Sequence, residues 1–352
     1  MIIRAVLCAT VSLAMSQAVV VYAQQADATS PVAQKGSLYL DVVVAPKSGG
    51  PVGDLAQADF TLLDNGVPQT LRSFRLLTGR QAPLSLILVL DAVNASFRDL
   101  AIQRVEVEKF LQAEGGHLAY PTGVVLLTER GPQIVAGFST DGNALGATLE
   151  ATNSPLRAIT RAAALDGAAE RWQVSVKSLR QLVAGVSGHS GYTAMVWISP
   201  GWMVQDLRND RPDPGQQHMF FSNLVGLSNA MFDSRISLYS LDPRGAGESG
   251  LRAEAYQDYL KAVTSVDRMT MGHLALPVLA IQSGGEAFYS TNDLSVRLQE
   301  IVDHATPFYE ISYDSAPGAH SDECHHLEVK IAKPGLIARS HQVYYANPSA
   351  KN

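Results

Sequence analysis

A run from Leu84 to Leu90 that is apolar except for Ser85 ends at Asp91, and a polar loop follows it. A run of this kind, without alternating polar residues, is typical of a strand that is covered on both faces in the central sheet of an α/β domain. Asp91 is therefore predicted at the carboxyl end of the strand, where open α/β sheets bind their ligands. The residues of the following loop decide which chemistry that edge can perform.

From Pro83 onward, apolar strand-like runs alternate with stretches of helical spacing. The strand-like runs are 84–90, 123–128, 133–138, 192–198, 236–241 and 308–313, and the helical stretches are 100–112, 141–150, 163–184, 216–232, 255–263 and 293–304. A further apolar segment, 274–281, leads to a pair of glycines. Alternation of this kind predicts an α/β fold with a mostly parallel, Rossmann-like sheet and helices on both faces.

A small β module precedes this alternation. Leu38 to Ala45 and Phe60 to Leu63 are strand-like, and Asn65-Gly66 separates the second run from another that begins at Val67. Asn-Gly between two such runs is a strong hairpin signal. The predicted domains are a small β module at 37–80, an α/β domain at 81–315 and a C-terminal β extension at 316–352.

The N-terminal segment is typical of a secretory signal peptide. Arg4 precedes an apolar stretch from Ala5 to Tyr22, and a small residue follows at the expected cleavage site. We expect residues 1–23 to be removed, so that the mature chain begins at Gln24 with a flexible leader over 24–36, and the protein to be exported to the periplasm or beyond. The alternative is a membrane anchor, but polar residues interrupt the stretch and no basic stop-transfer cluster follows. No membrane association is expected after cleavage.

Charge and cysteine content restrict the partners. The chain has a net charge of −6 and no cluster of lysine or arginine, which disfavours nucleic acid and anionic membrane surfaces as partners. Removal of the signal peptide would also remove Cys8, so Cys324 would be left without a partner for a disulfide within the mature chain. Asp322 and Glu323 are expected to raise the pKa of its thiol by charge repulsion, which predicts a poorly reactive thiol and a monomer.

Several segments, taken in order, carry a family resemblance. They are AQADFTLLDNGVPQTLRSF, LILVLDAVNASF, LDGAAERWQVSVKSLRQL, AMVWISPGW, ISLYSLDPRG, LAIQSGGEAF and HHLEVKIAKPGLIARSHQVYYA. Through them the chain resembles, from about Leu38 to Tyr345, the VWFA-related acidobacterial domain family. The resemblance implies a von Willebrand factor A-like fold with flanking β segments, in an exported protein of a family whose molecular activity is generally uncharacterised.

Metal-ion-dependent adhesion sites of the von Willebrand factor A type hold a divalent ion with the pattern Asp-x-Ser-x-Ser. In this chain Val93 and Ala95 stand where the two serines would be. Mg²⁺ requires a nearly complete octahedral set of oxygen ligands, so the site is predicted to be degenerate and to hold no cofactor. If Mg²⁺ or Ca²⁺ does bind, its ligands would be Asp91, Asn94 and Ser96.

The other ligands that the resemblance implies are also incomplete. The strand at 192–198 ends in Ser199-Pro200 where metal-competent members have an aspartate, and the nearest acid is Asp206. The threonine of such a site could be supplied by three residues, which are Thr140, Thr152 and Thr160. Of the usual ligand set, Asp91 alone has a clear counterpart here.

Three further motifs favour turns over chemistry. Gly188-His189-Ser190-Gly191 approaches a nucleophile elbow, but a helix precedes it and a strand follows, which is the reverse of that motif. Residues 320–326 contain three histidines, two acids and Cys324, yet consecutive residues of a strand point to opposite faces and cannot converge on one zinc ion. Asp242-Pro243 is predicted to begin a turn through an Asx-type hydrogen bond.

The function class that the sequence favours is a non-enzymatic, adhesion-like module that binds an unknown protein partner without metal. The alternative is an envelope hydrolase that uses the crevice around Asp91, although neither paired acids nor a nucleophile with a nearby base is evident there. The partner would contact three loops at the carboxyl edge of the sheet. Their candidate contact residues are Asp91, Asn94, Ser96, Ser199, Trp202, Asp206 and Asp242.

Overall fold

The computed structural model describes residues 37–79, 82–152, 165–188, 191–202, 212–244, 256–289 and 293–348. The predicted signal peptide and leader lie outside these ranges, as does Asp206. The strands are β1 (Ser37–Pro46), β2 (Phe60–Asp64), β3 (Val67–Gln69), β4 (Leu71–Leu77), β5 (Leu84–Asp91), β6 (His117–Thr128), β7 (Gly131–Asp141), β8 (Tyr192–Ile198), β9 (Ile236–Leu241), β10 (Ala287–Phe288), β11 (Phe308–Asp314), β12 (Glu323–Ile331), β13 (Leu336–Arg339) and β14 (Val343–Ala346). The α-helices are α1 (Phe97–Gln112), α2 (Gly142–Ala151), α3 (Leu165–Val186), α4 (Pro214–Asp233), α5 (Leu276–Gln282) and α6 (Leu294–Asp303).

The described strands form three sheets. A six-stranded sheet has the order β10-β9-β8-β5-β6-β7, and two four-stranded sheets have the orders β13-β1-β11-β4 and β14-β12-β2-β3. Both four-stranded sheets are antiparallel at every pairing. The six-stranded sheet is mixed, because β7 runs antiparallel to β6.

The predicted fold class, a mostly parallel Rossmann-like sheet of the von Willebrand factor A type, is therefore wrong. The molecule is mixed α/β, with two antiparallel sheets beside one mixed sheet. The run Phe308 to Tyr313 shows the reason: it was predicted to continue the α/β alternation, but as β11 it pairs antiparallel with β1 and β4. Apolar periodicity identifies a strand without specifying its partner or its direction.

The position of β5 explains why Ser85, near its start, is its only polar residue before Asp91. Leu86, Leu88 and Leu90 pack with side chains of α1, α2 and α6, whereas Ile87 and Val89 pack with side chains of α3, α4 and α5. Successive strand residues point to opposite faces, so a strand that is covered on both faces favours apolar residues at consecutive positions. Burial of each such residue contributes roughly 1.5–3 kcal/mol to folding.

The two antiparallel sheets share a core of their own. It is formed by alternate residues of β1, β2 and β11, together with β12 and β14. Because β2 pairs with β12 and β1 pairs with β11, strands from the two ends of the described chain close this part of the molecule. The predicted Asn65-Gly66 hairpin is confirmed, since φ is +49° at Asn65 and +80° at Gly66, as a type I′ turn requires.

The structure assigns a helix to one apolar segment and corrects one predicted helix. The apolar segment 274–281 overlaps helix α5, which has Pro277 in its first turn, where the fixed φ of proline favours a helix. The helix predicted at 255–263 is, within the described residues 256–263, only a short 3₁₀ turn at Gln257–Tyr259. None of the helices that the structure describes combines the length and the apolarity needed to cross a membrane.

Gln103 lies on the buried face of α1 with a fully buried carboxamide. Its Nε2 and Oε1 atoms have no hydrogen-bond partner among the described residues. Gln103→Met keeps a similar shape and removes both polar atoms, so we expect it to raise the free energy of unfolding by roughly 1–3 kcal/mol. Urea denaturation would measure the change, and Gln112→Met, on the exposed side of α1, is the matched control. A loss of stability in Gln103→Met would contradict this expectation and would show that the side-chain amide forms hydrogen bonds in solution.

His341 gives the fold a defined response to acid. Burial lowers the pKa of His341 to about 4, although the contact between its Nε2 and the carbonyl of Ile236, at 2.9 Å, partly opposes the shift. The unfolded chain takes up a proton near pH 6.5 and the folded chain only near pH 4, so folding stability falls as the pH is lowered through this window. The expected loss is about 2–3 kcal/mol.

The measurement is the free energy of unfolding between pH 7 and pH 4 for the wild type and for His341→Gln. The contributions of other titrating groups, including His273 and Asp41, cancel in the difference between the two curves. We expect the wild type to lose more free energy of unfolding than His341→Gln as the pH falls, because glutamine does not titrate. The difference in stability between the two proteins should therefore narrow. Parallel curves over this window would contradict a neutral, buried His341.

Candidate functional site

Three neighbouring strands bring the predicted site residues to one edge of the six-stranded sheet. In the order β9-β8-β5, the chain leaves the strands at Asp242, Ser199 and Asp91. The amide of Ser199 donates to the carbonyl of Leu241 at 3.0 Å, which continues the pairing of β8 with β9 beyond the last strand residue. The prediction that these three residues share the carboxyl edge is confirmed.

Asp91 is fully buried at this edge, and both carboxylate oxygens accept several hydrogen bonds. Oδ1 accepts from the backbone amides of Val93 and Asn94, each at 2.9 Å. Oδ2 accepts from Asn94 Nδ2 at 2.8 Å, from Ser199 Oγ at 2.8 Å and from the indole Nε1 of Trp197 at 3.0 Å. Neutral donors from the loop and from β8 therefore surround the carboxylate.

This arrangement uses the whole accepting capacity of the side chain. A carboxylate offers about four lone-pair positions, and five donors already point at Asp91. A metal ion or a substrate proton would have to displace one of these donors in a buried site. The geometry assigns Asp91 the role of an anchor that ties the loop after β5 to the end of β8.

Asn94 and Ser96, the other two conditional ion ligands, both bond to the protein, although Asn94 Oδ1, the atom that would bind an ion, is buried with no hydrogen-bond partner among the described residues. Asn94 Nδ2 bridges Asp91 and the hydroxyl of Ser175 on α3, with 2.9 Å to Ser175 Oγ. Ser96 is the N-cap of α1, since its Oγ accepts from the amide of Asp99 at 3.1 Å and donates to the Asp99 carboxylate at 2.7 Å. Among the described residues, no group of three or more His, Cys, Asp or Glu could hold a metal.

Trp202, predicted to contact a partner, is corrected to a core residue. Only 1% of it is exposed, and its ring stacks edge-on against Trp197 with centroids 5.2 Å apart. Its Nε1 donates to the carbonyl of Leu274 at 2.7 Å, which fixes the chain after β8 against the start of α5. An aromatic ring held in this way covers the core and presents no surface to a partner.

Asp242 begins the turn that was predicted for it. Its Oδ1 accepts from the amide of Arg244 at 3.0 Å, which is the Asx-type hydrogen bond. The guanidinium of Arg244 also donates to both carboxylate oxygens and, at 2.9 Å, to the carbonyl of Pro200. Arg244 therefore joins the loops after β9 and β8, and the carboxylate of Asp242 is neutralised within the protein.

The Cys/His segment, residues 320–326, leads into β12, and the contacts of Cys324 and His325 are contacts within the protein core. Cys324 is buried, and its pKa is raised to about 11 by burial; the predicted direction is correct, but the cause is not the neighbouring acids. His325 turns inward, with its Nδ1 2.8 Å from Asp64 Oδ1 and 2.9 Å from the hydroxyl of Tyr344. His326 points outward, as alternation along a strand requires.

Sequence reasoning missed one partner of Asp91, one partner of Asn94 and one exposed residue. Trp197 lies within a buried strand 106 positions from Asp91, and Ser175 lies on a helix, so local sequence gives no signal for either contact. Phe97, the first residue of α1, is 72% exposed and directly follows the loop that Asp91 anchors. Ile102 and Val105 are also exposed on α1, and a group of exposed apolar side chains, rather than a single one, marks a candidate contact site.

Comparisons with known proteins give only weak similarities. No protein-family model and no curated protein matches the sequence. Proximal thread matrix protein 1 from the mussel byssus is 12% identical with a TM-score of 0.34, over 66% of this chain and 49% of that one. The PilB minor pilin from Streptococcus sanguinis is 10% identical with a TM-score of 0.34, over 62% and 59%. The pilus adhesin SpaC from Lactobacillus rhamnosus GG is 11% identical with a TM-score of 0.35, over 82% and 42%.

The chain thus spans about half of the mussel protein and less than two thirds of the minor pilin and the pilus adhesin. At TM-scores this low, the similarities carry no conclusion about the fold or the function of this chain. The functional argument therefore depends on the geometry of the sheet edge.

Proposed function

We propose that the chain is an exported protein-interaction module that binds a protein partner at the carboxyl edge of its six-stranded sheet, without a metal ion. The observation that carries the proposal is the closed hydrogen-bond set of Asp91, in which five protein donors occupy the carboxylate. The loop needs no cation to hold its shape. A rigid loop presents its surface at low entropic cost, which favours binding.

The chemistry of the surface supports contact with a protein. Phe97 is displayed at the end of the anchored loop, and Ile102 and Val105 are exposed further along the same helix. Exposed aromatic and aliphatic side chains on a rigid element are typical of the anchors that dominate binding energy in protein interfaces. The acids of the edge contribute little, because the Asp91 carboxylate is buried among its hydrogen-bond donors and the Asp242 carboxylate is paired with Arg244.

The test is affinity capture from an envelope extract with the mature protein as bait, with and without EDTA. We expect one partner to be captured equally well in both conditions. Phe97→Ala should lose it while the far-ultraviolet circular dichroism is unchanged, because the side chain is exposed. Val67→Ala is the matched control, since Val67 is 60% exposed on β3 in a different sheet.

Three outcomes would contradict the proposal. Capture that is abolished by EDTA and restored by Mg²⁺ would show a metal-dependent site. Equal loss in the Phe97 and Val67 variants would place the interface elsewhere. Failure to capture any protein, with a bait that is folded and in excess, would remove the support for an interaction module.

A further inference from the structure

We draw no further inference here: the strongest candidate, the exposed apolar face of α1 formed by Phe97, Ile102 and Val105, belongs to the surface already described, and nothing in the described part of the structure shows what covers it.

Discussion

Replacing Arg235 with methionine should lower the free energy of unfolding by about 3–5 kcal/mol, because it leaves buried carboxylates without their partner. Arg235 Nε donates to Asp41 Oδ2 at 2.9 Å, its Nη2 also contacts Asp41 Oδ1, and Nη2 lies 2.8 Å from Glu310 Oε2. The side chains of Asp41 and Glu310 are only 6% and 2% exposed. Arg75 still contacts Glu310 in the variant, so the largest penalty falls on Asp41.

The pH dependence of this variant provides a second signature. Burial already raises the pKa of Asp41 above its ordinary value, and Arg235 opposes that rise. Without the guanidinium, the pKa should rise further. Asp41 would then be protonated in the folded variant at a higher pH than in the wild type. The destabilisation should therefore diminish as the pH is lowered, since a protonated Asp41 carries no charge to bury.

Urea denaturation at neutral and at mildly acidic pH measures both effects. Arg72→Met is the matched control, because Arg72 pairs with Asp314 at 2.7 Å but both side chains are about half exposed. Exposed ion pairs contribute little to stability, so the control should resemble the wild type. An Arg235→Met protein as stable as Arg72→Met would contradict the prediction. It would show that the contacts of Arg235 with Asp41 and Glu310 do not hold the sheet β13-β1-β11-β4 to the start of β9.

The contrast between β5 and β11 shows how far the sequence determines the fold. Leu84 to Leu90 is predicted as a strand covered on both faces, because apolar residues at consecutive positions indicate that both faces are buried. The structure confirms this prediction. Phe308 to Tyr313, which includes Glu310 and Ser312, is also a strand, but its antiparallel partner β1 lies at the other end of the described chain. Partner choice depends on loop closure and on packing, which are long-range properties that a local pattern does not encode.

The sequence likewise predicted only part of the candidate site. Asp91, Ser199 and Asp242 could be placed at one edge, because each directly follows an apolar strand. The hydrogen bond from Trp197 could not be predicted, since an indole within a buried strand is typical of core packing. The sequence showed that hydroxyl ligands were missing at Val93 and Ala95. Only the structure shows that protein donors fill the space around the carboxylate.

Replacement of Asp91 by asparagine should lower the free energy of unfolding by at least about 3 kcal/mol, although the two side chains have nearly the same shape. An amide has one accepting oxygen, and its NH₂ group would face donors that now bind an oxygen. Trp197 Nε1, Ser199 Oγ and Asn94 Nδ2 all converge on Oδ2. If the amide nitrogen takes the other position, it faces the backbone amides of Val93 and Asn94 instead.

Thermal unfolding, followed by the fluorescence of the tryptophans beside Asp91, measures this loss, with Asp303→Asn on the exposed end of α6 as the control. The same experiment separates an anchor from a metal site. Because the donors already satisfy Asp91, millimolar Mg²⁺ or EDTA should leave the unfolding temperature of the wild type unchanged. A saturable increase with Mg²⁺ that disappears in Asp91→Asn would show that the carboxylate binds an ion. An Asp91→Asn protein of wild-type stability would instead show that the five hydrogen bonds do not hold the edge together.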